Sequence, residues 1–288
     1  VSLEVRKTYK LFVNGAFPRS ESGRTEPVLD QRGRLLANAC RASRKDLRDA
    51  VVAARAAQSG WAARSAYNRG QILYRIAEVL QGRADQLVAE LRVAMPVGAA
   101  RREVATAVDR WVWYAGWADK YAQVTGAANP VDGPYFNLTV PEPSGVAGIV
   151  CPDDAPLLAL VSRLAPCVVS GNTAVVLASE RWPLASITLA EVLATSDVPA
   201  GVVNILTGRR AELVPWLAGH GDVDVVDLTG CAGDHPLVVA GEQAAAASLT
   251  RVVHASAAER QWADDRAQQL ACILGFVDHK TVWHPKGR

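Results

Sequence analysis

From Gly145 to Leu228 the chain alternates short apolar runs with amphipathic segments, and no other stretch restricts the fold so strongly. GVAGIVC leads into a helical pattern from Pro156 to Ser170, then TAVVLA, a second helical pattern from Pro183 to Thr195, and VVNIL. This is β-α-β-α-β order, which implies parallel strands joined by crossover helices in an α/β, doubly wound, Rossmann-like sheet. A fourth unit starts with a helix near Ala211 to Gly219 and leads to VDVVDL. Beyond it the pattern predicts an Ala-rich helix over 241–249, a strand at RVVHA, a helix from Ala257 to Ala271 and a last strand, FVDHKTVWH.

Upstream, residues 9–30 alternate around Asn14-Gly15, a strong turn signal that predicts an N-terminal hairpin. Ser43 precedes a stripe of Leu47, Val51, Ala54 and Gln58 at helical spacing, so it reads as an N-cap, with Gly60 as the stop. Two more helices are expected, Asn68 to Leu91 and Ala99 to Tyr121. The second carries Trp111, Trp113, Tyr114 and Trp117, a cluster that belongs in a core. Between Gln123 and Val140, Gly, Pro and Asn interrupt short β-prone runs, which points to an extended ribbon and a boundary.

Half of the 288 residues are apolar, enough for a large core. A formal net charge of +2 gives no electrostatic case for nucleic acid or an acidic membrane as partner. Arg24, Arg32 and Arg34, or Arg101 and Arg102, read as solvated faces in preference to binding patches. Cys40, Cys151, Cys167, Cys231 and Cys272 lack zinc-site spacing, and an odd number cannot form a closed disulfide set, so a reducing, cytoplasmic setting is expected. The five histidines are dispersed, so no metal site is expected. VSLEVRKTYK lacks the apolar centre of a signal peptide, and no run approaches the ~18 apolar residues of a membrane span. A first residue of valine points to processing or trimming.

Four segments, in order, carry a resemblance: LFVNGAF, EPSGVAGIVCPDDAPLL, GNTAVVLASERWPL, and VPAGVVNILTG followed by LTGC. Together they resemble the aldehyde dehydrogenase superfamily. AGWADKYA, CPDDAPLL and KTVWHP look closer to its two-unit family 16 branch, whose second unit is truncated. The likeness runs to about Gly233 and returns weakly in the last ten or so residues. It implies a thiolate nucleophile, a glutamate that manages protons and an oxyanion donor beside NAD. The glutamate and cysteine phrases of the family do not occur among the 57 residues after Cys231. Cys272, in QLACILG, reads as a buried small residue, and no catalytic residue is assigned. Pro152-Asp153-Asp154 stands where the family has Pro-Trp-Asn, placing a carboxylate where an amide would donate. Asp153 and Asp154 could be read as an acid/base pair, but a helix cap at the strand-to-helix junction is preferred.

The resemblance also implies residual cofactor positions: Ser179, Glu180, Gly208, Gly230 and Cys231, for NAD or NADP bound weakly or not at all. Leu177 replaces the family's ribose-binding lysine, and His235 replaces a glycine that admits the pyrophosphate. The competing reading keeps these positions as strand-end turns. Cys231, at a possible helix start, would be either a lowered-pKa, redox-sensitive thiol or an inert one. Family members associate through a projecting ribbon and a closing strand, and segments matching both are present. The chain is thus expected to comprise a nucleotide-binding-type unit (1–122 and 143–255) plus an oligomerisation arm and C-terminal helix and strand (123–142 and 256–288). The family's catalytic domain is expected to be missing. Such a chain would be a pseudoenzyme subunit that partners an active aldehyde dehydrogenase or forms a homo-oligomer; the alternative is an NAD-binding subunit of such a complex.

Overall fold

The computed structural model describes residues 7–287, so most of the VSLEVRKTYK segment lies outside it. The chain opens with β1 (Thr8–Tyr9), β2 (Thr25–Leu29) and β3 (Leu35–Cys40), which form a small sheet. The expected hairpin at Asn14-Gly15 is cut to a stub. Both residues have positive φ, as a tight turn requires, and Val13 and Ala16 exchange both backbone hydrogen bonds. One residue earlier the backbone leaves the stub: Phe12 pairs with Ile205 instead, and Asn14 N–H donates to Asn204 Oδ1 at 2.9 Å. The true hairpin is β2–β3, whose turn is held by Asp30 accepting from the N–H groups of Arg32 and Arg34.

Four helices follow: α1 (Arg44–Ala62), α2 (Ala66–Gly82), α3 (Ala84–Leu91) and α4 (Val97–Ala115), then the short α5 (Tyr121–Thr125). Ser43 caps α1 as expected, in a reciprocal capping box with Asp46. Gly60 does not stop it, because the buried Trp61 donates its indole N–H to Val168 O at 2.9 Å and holds the last turn in place. The single helix expected over 68–91 is broken at Arg83, just after Gly82, a poor helix former. The helix expected to reach Tyr121 ends at Ala115, with Gly116 as its C-cap. Trp111 and Tyr114 are fully buried in the core, as the pattern implied.

The ribbon is β4 (Ala127–Asn129) and β5 (Tyr135–Pro143). The main sheet is built from β6 (Val146–Val150), α6 (Leu158–Val169), β7 (Thr173–Leu177), α7 (Leu184–Ala194), β8 (Val203–Leu206), α8 (Arg210–Ala218), β9 (Val225–Asp227), α9 (His235–Ser248) and β10 (Arg251–Val253). Its five strands are parallel, in the order β10-β9-β6-β7-β8, which is the doubly wound sheet read from the sequence. Alternate residues explain the unbroken apolar runs. Ala147, Ile149, Ala174 and Val176 pack toward one core with α4, α6 and α7, while Val146, Val150, Val175 and Leu177 pack toward another with α1 and α8.

After β10 the expected helix over 257–271 is absent. Residues 256–269 form turns, with a 3-10 turn at Asp265–Ala267, before the short α10 (Leu270–Leu274). Two buried arginines account for this path. Arg110 of α4 donates to Trp262 O, and Arg163 of α6 donates to Glu259, so the backbone follows those anchors in preference to its own helical bonds. The last strand, β11 (Val277–Pro285), pairs antiparallel with β5 over nine residues and forms the outer edge of the sheet β11-β5-β4. No helix among the described residues is long and apolar enough to cross a membrane.

Candidate functional site

In a doubly wound sheet a ligand binds outside the carboxyl ends of the strands, where the order of connection reverses. Here β7 and β8 lie on one side of β6 and β9 and β10 on the other, so the crevice opens between the ends of β6 and β9. Its walls are the segments after four strands: Cys151 to Asp154, Glu180 and Arg181, Arg210 at the start of α8, and Thr229 to Cys231.

One side chain lies across it. Arg210, the first residue of α8, bonds through Nη2 to Cys151 O at 2.6 Å and Asp153 Oδ1 at 2.7 Å. Its Nη1 bonds to Asp153 Oδ2 at 3.0 Å and Gly230 O at 3.2 Å. The guanidinium thus ties the ends of β6 and β9 together and forms a bidentate pair with Asp153. Ser179 Oγ donates to the same carboxylate at 2.6 Å and accepts from Trp182 N–H, which fixes the turn after β7.

Ser179, Glu180, Gly230 and Cys231 therefore do converge, around Arg210 and Asp153. Glu180 sits on the rim of a cavity of about 480 Å³ and accepts from Arg210 N–H at 2.8 Å, capping α8. Asp234 caps α9 through Leu237 N–H. Gly208 lies apart, in a neighbouring hollow with Cys40, Thr207 and Arg209. Gly230 is required by close approach: a Cβ there would meet Val150 O at 2.5 Å.

The preferred cap at Asp153 or Asp154 is overturned. Glu103, reaching from α4, accepts from Leu157 N–H at 2.9 Å and Leu158 N–H at 3.1 Å and so serves the start of α6. Burial pushes its carboxyl above the ordinary value, against the pull of those two donors. Asp153 turns to Arg210, and Asp154 to the indole N–H of Trp262 at 3.0 Å, so the adjacent pair does point to different partners. Leu177, at the family's lysine position, is packed in the second core.

The idea of a lowered-pKa thiol at Cys231 also fails. The side chain is 1% exposed, and burial pushes the thiol up to about 11 despite the nearby Arg210. All five cysteines are buried; desolvation raises Cys151, Cys167 and Cys272 as well. Cys272 donates to Glu259 at 3.0 Å.

A pyrophosphate at such a crevice is held by open N–H groups at a helix N-terminus, with the helix dipole and any free cation adding to the attraction. At this crevice, carboxylates already cap α8 and α9, and every Nη hydrogen of Arg210 has a protein partner. The side chains as they stand do not match a dinucleotide's phosphates. Arg210 was the residue missed from sequence. A signal existed: Arg209-Arg210 opens a helix directly after a strand-end glycine, where a cation opposes the dipole and must find carboxylates nearby.

The aldehyde dehydrogenase family model matches residues 17–259, and the chain belongs to that family. The mitochondrial aldehyde dehydrogenase family 2 member B4 of Arabidopsis thaliana is 34% identical over 236 residues, 80% of this chain and 43% of that protein. An NAD-dependent aldehyde dehydrogenase from Sinorhizobium meliloti superposes with a TM-score of 0.79 at 27% identity, over 86% of this chain and 50% of the other. PnpE, solved in complex with nicotinamide adenine dinucleotide, gives 0.79 at 27% identity over 84% and 50%. The chain spans about half the length of the curated relatives it matches.

Proposed function

We propose that this chain is an aldehyde dehydrogenase-like subunit with no catalytic centre within these 288 residues, and that it associates with a catalytically active member of the family and stabilises or regulates it. The observation that carries this reading is β11. It is the terminal strand of its sheet, and every one of its nine residues but Val277 is exposed. A long edge strand of this kind is a template for pairing with a strand of another chain. The buried state of all five thiols adds support, since an attacking thiolate must be accessible and ionised.

Co-expression with an active aldehyde dehydrogenase from the same organism, followed by pull-down and size analysis, tests the proposal. A mixed assembly that weakens when Val282 and Trp283 are replaced by Lys supports it. A monomer or self-dimer that ignores the active enzyme counts against it, and a self-dimer would leave a homo-oligomer in its place.

A second reading, an NAD-binding subunit of a composite site, is favoured by the gathering of Ser179, Glu180 and Gly230 at the switch point and by the likeness to PnpE. Calorimetry with NAD and NADP decides it. Saturable binding lost in Glu180→Ala would establish that role, and no heat at millimolar cofactor would remove it.

A further inference from the structure

We propose that the Arg210–Asp153 pair is a built-in occupant of the switch-point crevice, and that on this doubly wound frame the pair is a principal barrier to the phosphates of a dinucleotide. The backbone frame, a sheet with its crossover helices, is present. Five parallel strands, their crossover helices and the close approach of Gly230 to Val150 are all in place. What differs is the content of the crevice.

Arg210 is 13% exposed at its side chain and makes four contacts through its two terminal nitrogens. A guanidinium offers five N–H groups in a fixed plane. Both Nη atoms are committed to Asp153, Cys151 O and Gly230 O, and the buried Nε has no partner and no access to solvent. A phosphate entering the crevice finds no donor on Arg210 without first displacing Asp153. It must also approach three carboxylates, Asp153, Glu180 and Asp234, two of which already cap the helix N-termini that phosphate would use. Charge and hydrogen-bond supply both oppose entry, and both trace to a few side chains.

The pair also explains its own location. A cation at the first position of a helix opposes the macrodipole. Glu180 at the backbone N–H and Asp153 at the guanidinium offset that cost. Removing Arg210 alone would leave Asp153 without its counter-ion, held only by Ser179 Oγ and the Arg181 N–H. Removing both charges takes the pair out of the crevice and leaves Glu180 and Asp234 as the remaining carboxylates.

The inference is independent of the ribbon reading, because it is measured on the unassembled full chain. Arg210→Met keeps the apolar stem of the side chain, and Asp153→Asn keeps the acceptor for Ser179 Oγ. Isothermal titration with NAD, and with ADP as a shorter probe, is compared for the original chain, each single variant and the double variant, with circular dichroism and thermal melts to establish folding. The original chain should bind NAD with a Kd weaker than about 1 mM, and the double variant should gain about tenfold or more. Arg210→Met alone should gain less than the double variant. Arg210→Lys, which keeps the charge but cannot span the carboxylate and both carbonyls, should give an intermediate gain and serves if the double variant does not fold. Micromolar binding by the original chain overturns the proposal. So does a folded double variant, or in its absence a folded Arg210→Lys, that binds NAD no better than the original.

Discussion

Replacing Arg163 by Met should destabilise the fold by about 3–5 kcal/mol, because it leaves a buried carboxylate without its counter-ion. Arg163 is 2% exposed and Asp227 fully buried; the guanidinium bonds to Asp227 through Nε and to Glu259 Oε1 at 3.2 Å through Nη1. Burial works against the charge on Arg163, but Asp227 and Glu259 outweigh it and hold the guanidinium firmly protonated. Asp227 also accepts from Thr229 N–H, and Thr229 Oγ1 accepts from Ala255 N–H at 2.8 Å. The cluster thus links α6, the end of β9 and the turns that follow β10. For a chain of this size the loss corresponds to a fall in Tm of roughly 5–8 °C. Urea unfolding and thermal melts measure the loss, and hydrogen exchange locates it: amides of residues 254–269 should open before those of β6 and β7. Asp227→Asn alone should cost a similar amount, whereas Arg163→Met/Asp227→Asn should cost clearly less than the sum of the two. Additive single-variant losses, or a cost for Arg163→Met below about 1 kcal/mol, would refute the reasoning, since both belong to an exposed ion pair.

Glu259 gives the same cluster a pH dependence. Desolvation favours its protonated form, but Cys272, Ser256 and Arg163 prevail and hold the carboxyl below its ordinary 4.5. The unfolded chain then binds the proton more readily, so this stabilisation is complete above that value and is lost as pH falls through the lower folded one; Glu259→Gln should flatten the acid limb of a stability–pH curve. Native protein should react with no more than a trace of a thiol reagent at pH 8, and with five equivalents once unfolded, as counted by absorbance, because every cysteine is buried. Gly230→Ala should destabilise by about 1–3 kcal/mol in urea titrations, since the added Cβ would meet the backbone of Val150 and Cys151 at 2.5–2.7 Å; an unchanged midpoint would mean the turn has room to move.

The main sheet is legible in the sequence because four of its strands, β6 to β9, are buried on both faces, so largely apolar runs such as VAGIV and TAVVL stand out against the helices between them. The closing strand is legible for another reason. Beyond Val277, which is buried in the first core, β11 runs along an exposed ribbon, and its identity comes from β-prone residues and from the likeness to a family's last strand. Residues 257–271 failed because AAERQWADDRAQQLA is rich in helix formers, and propensity is outweighed when Arg110, Arg163 and Asp154 each take hold of a group in the segment.

The crevice was half legible. Ser179, Glu180, Gly230 and Cys231 were placed at strand ends correctly, since strand ends follow from the alternation of elements. What they do was hidden, because it depends on contacts between distant segments. Asp153 stands at a strand-to-helix junction, where local logic makes it a cap. Glu103, 54 positions from Leu157, takes that task from outside the motif. Asp153 is thereby released to pair with Arg210, 57 positions away, and Arg210 in turn brings the ends of β6 and β9 together. A single substitution in α4 therefore bears on the switch-point crevice. If Glu103 were replaced by Ala, α6 would lack its cap and Asp153 or Asp154 would be the nearest carboxylates able to replace it. The contents of the crevice follow from how helix ends elsewhere are satisfied.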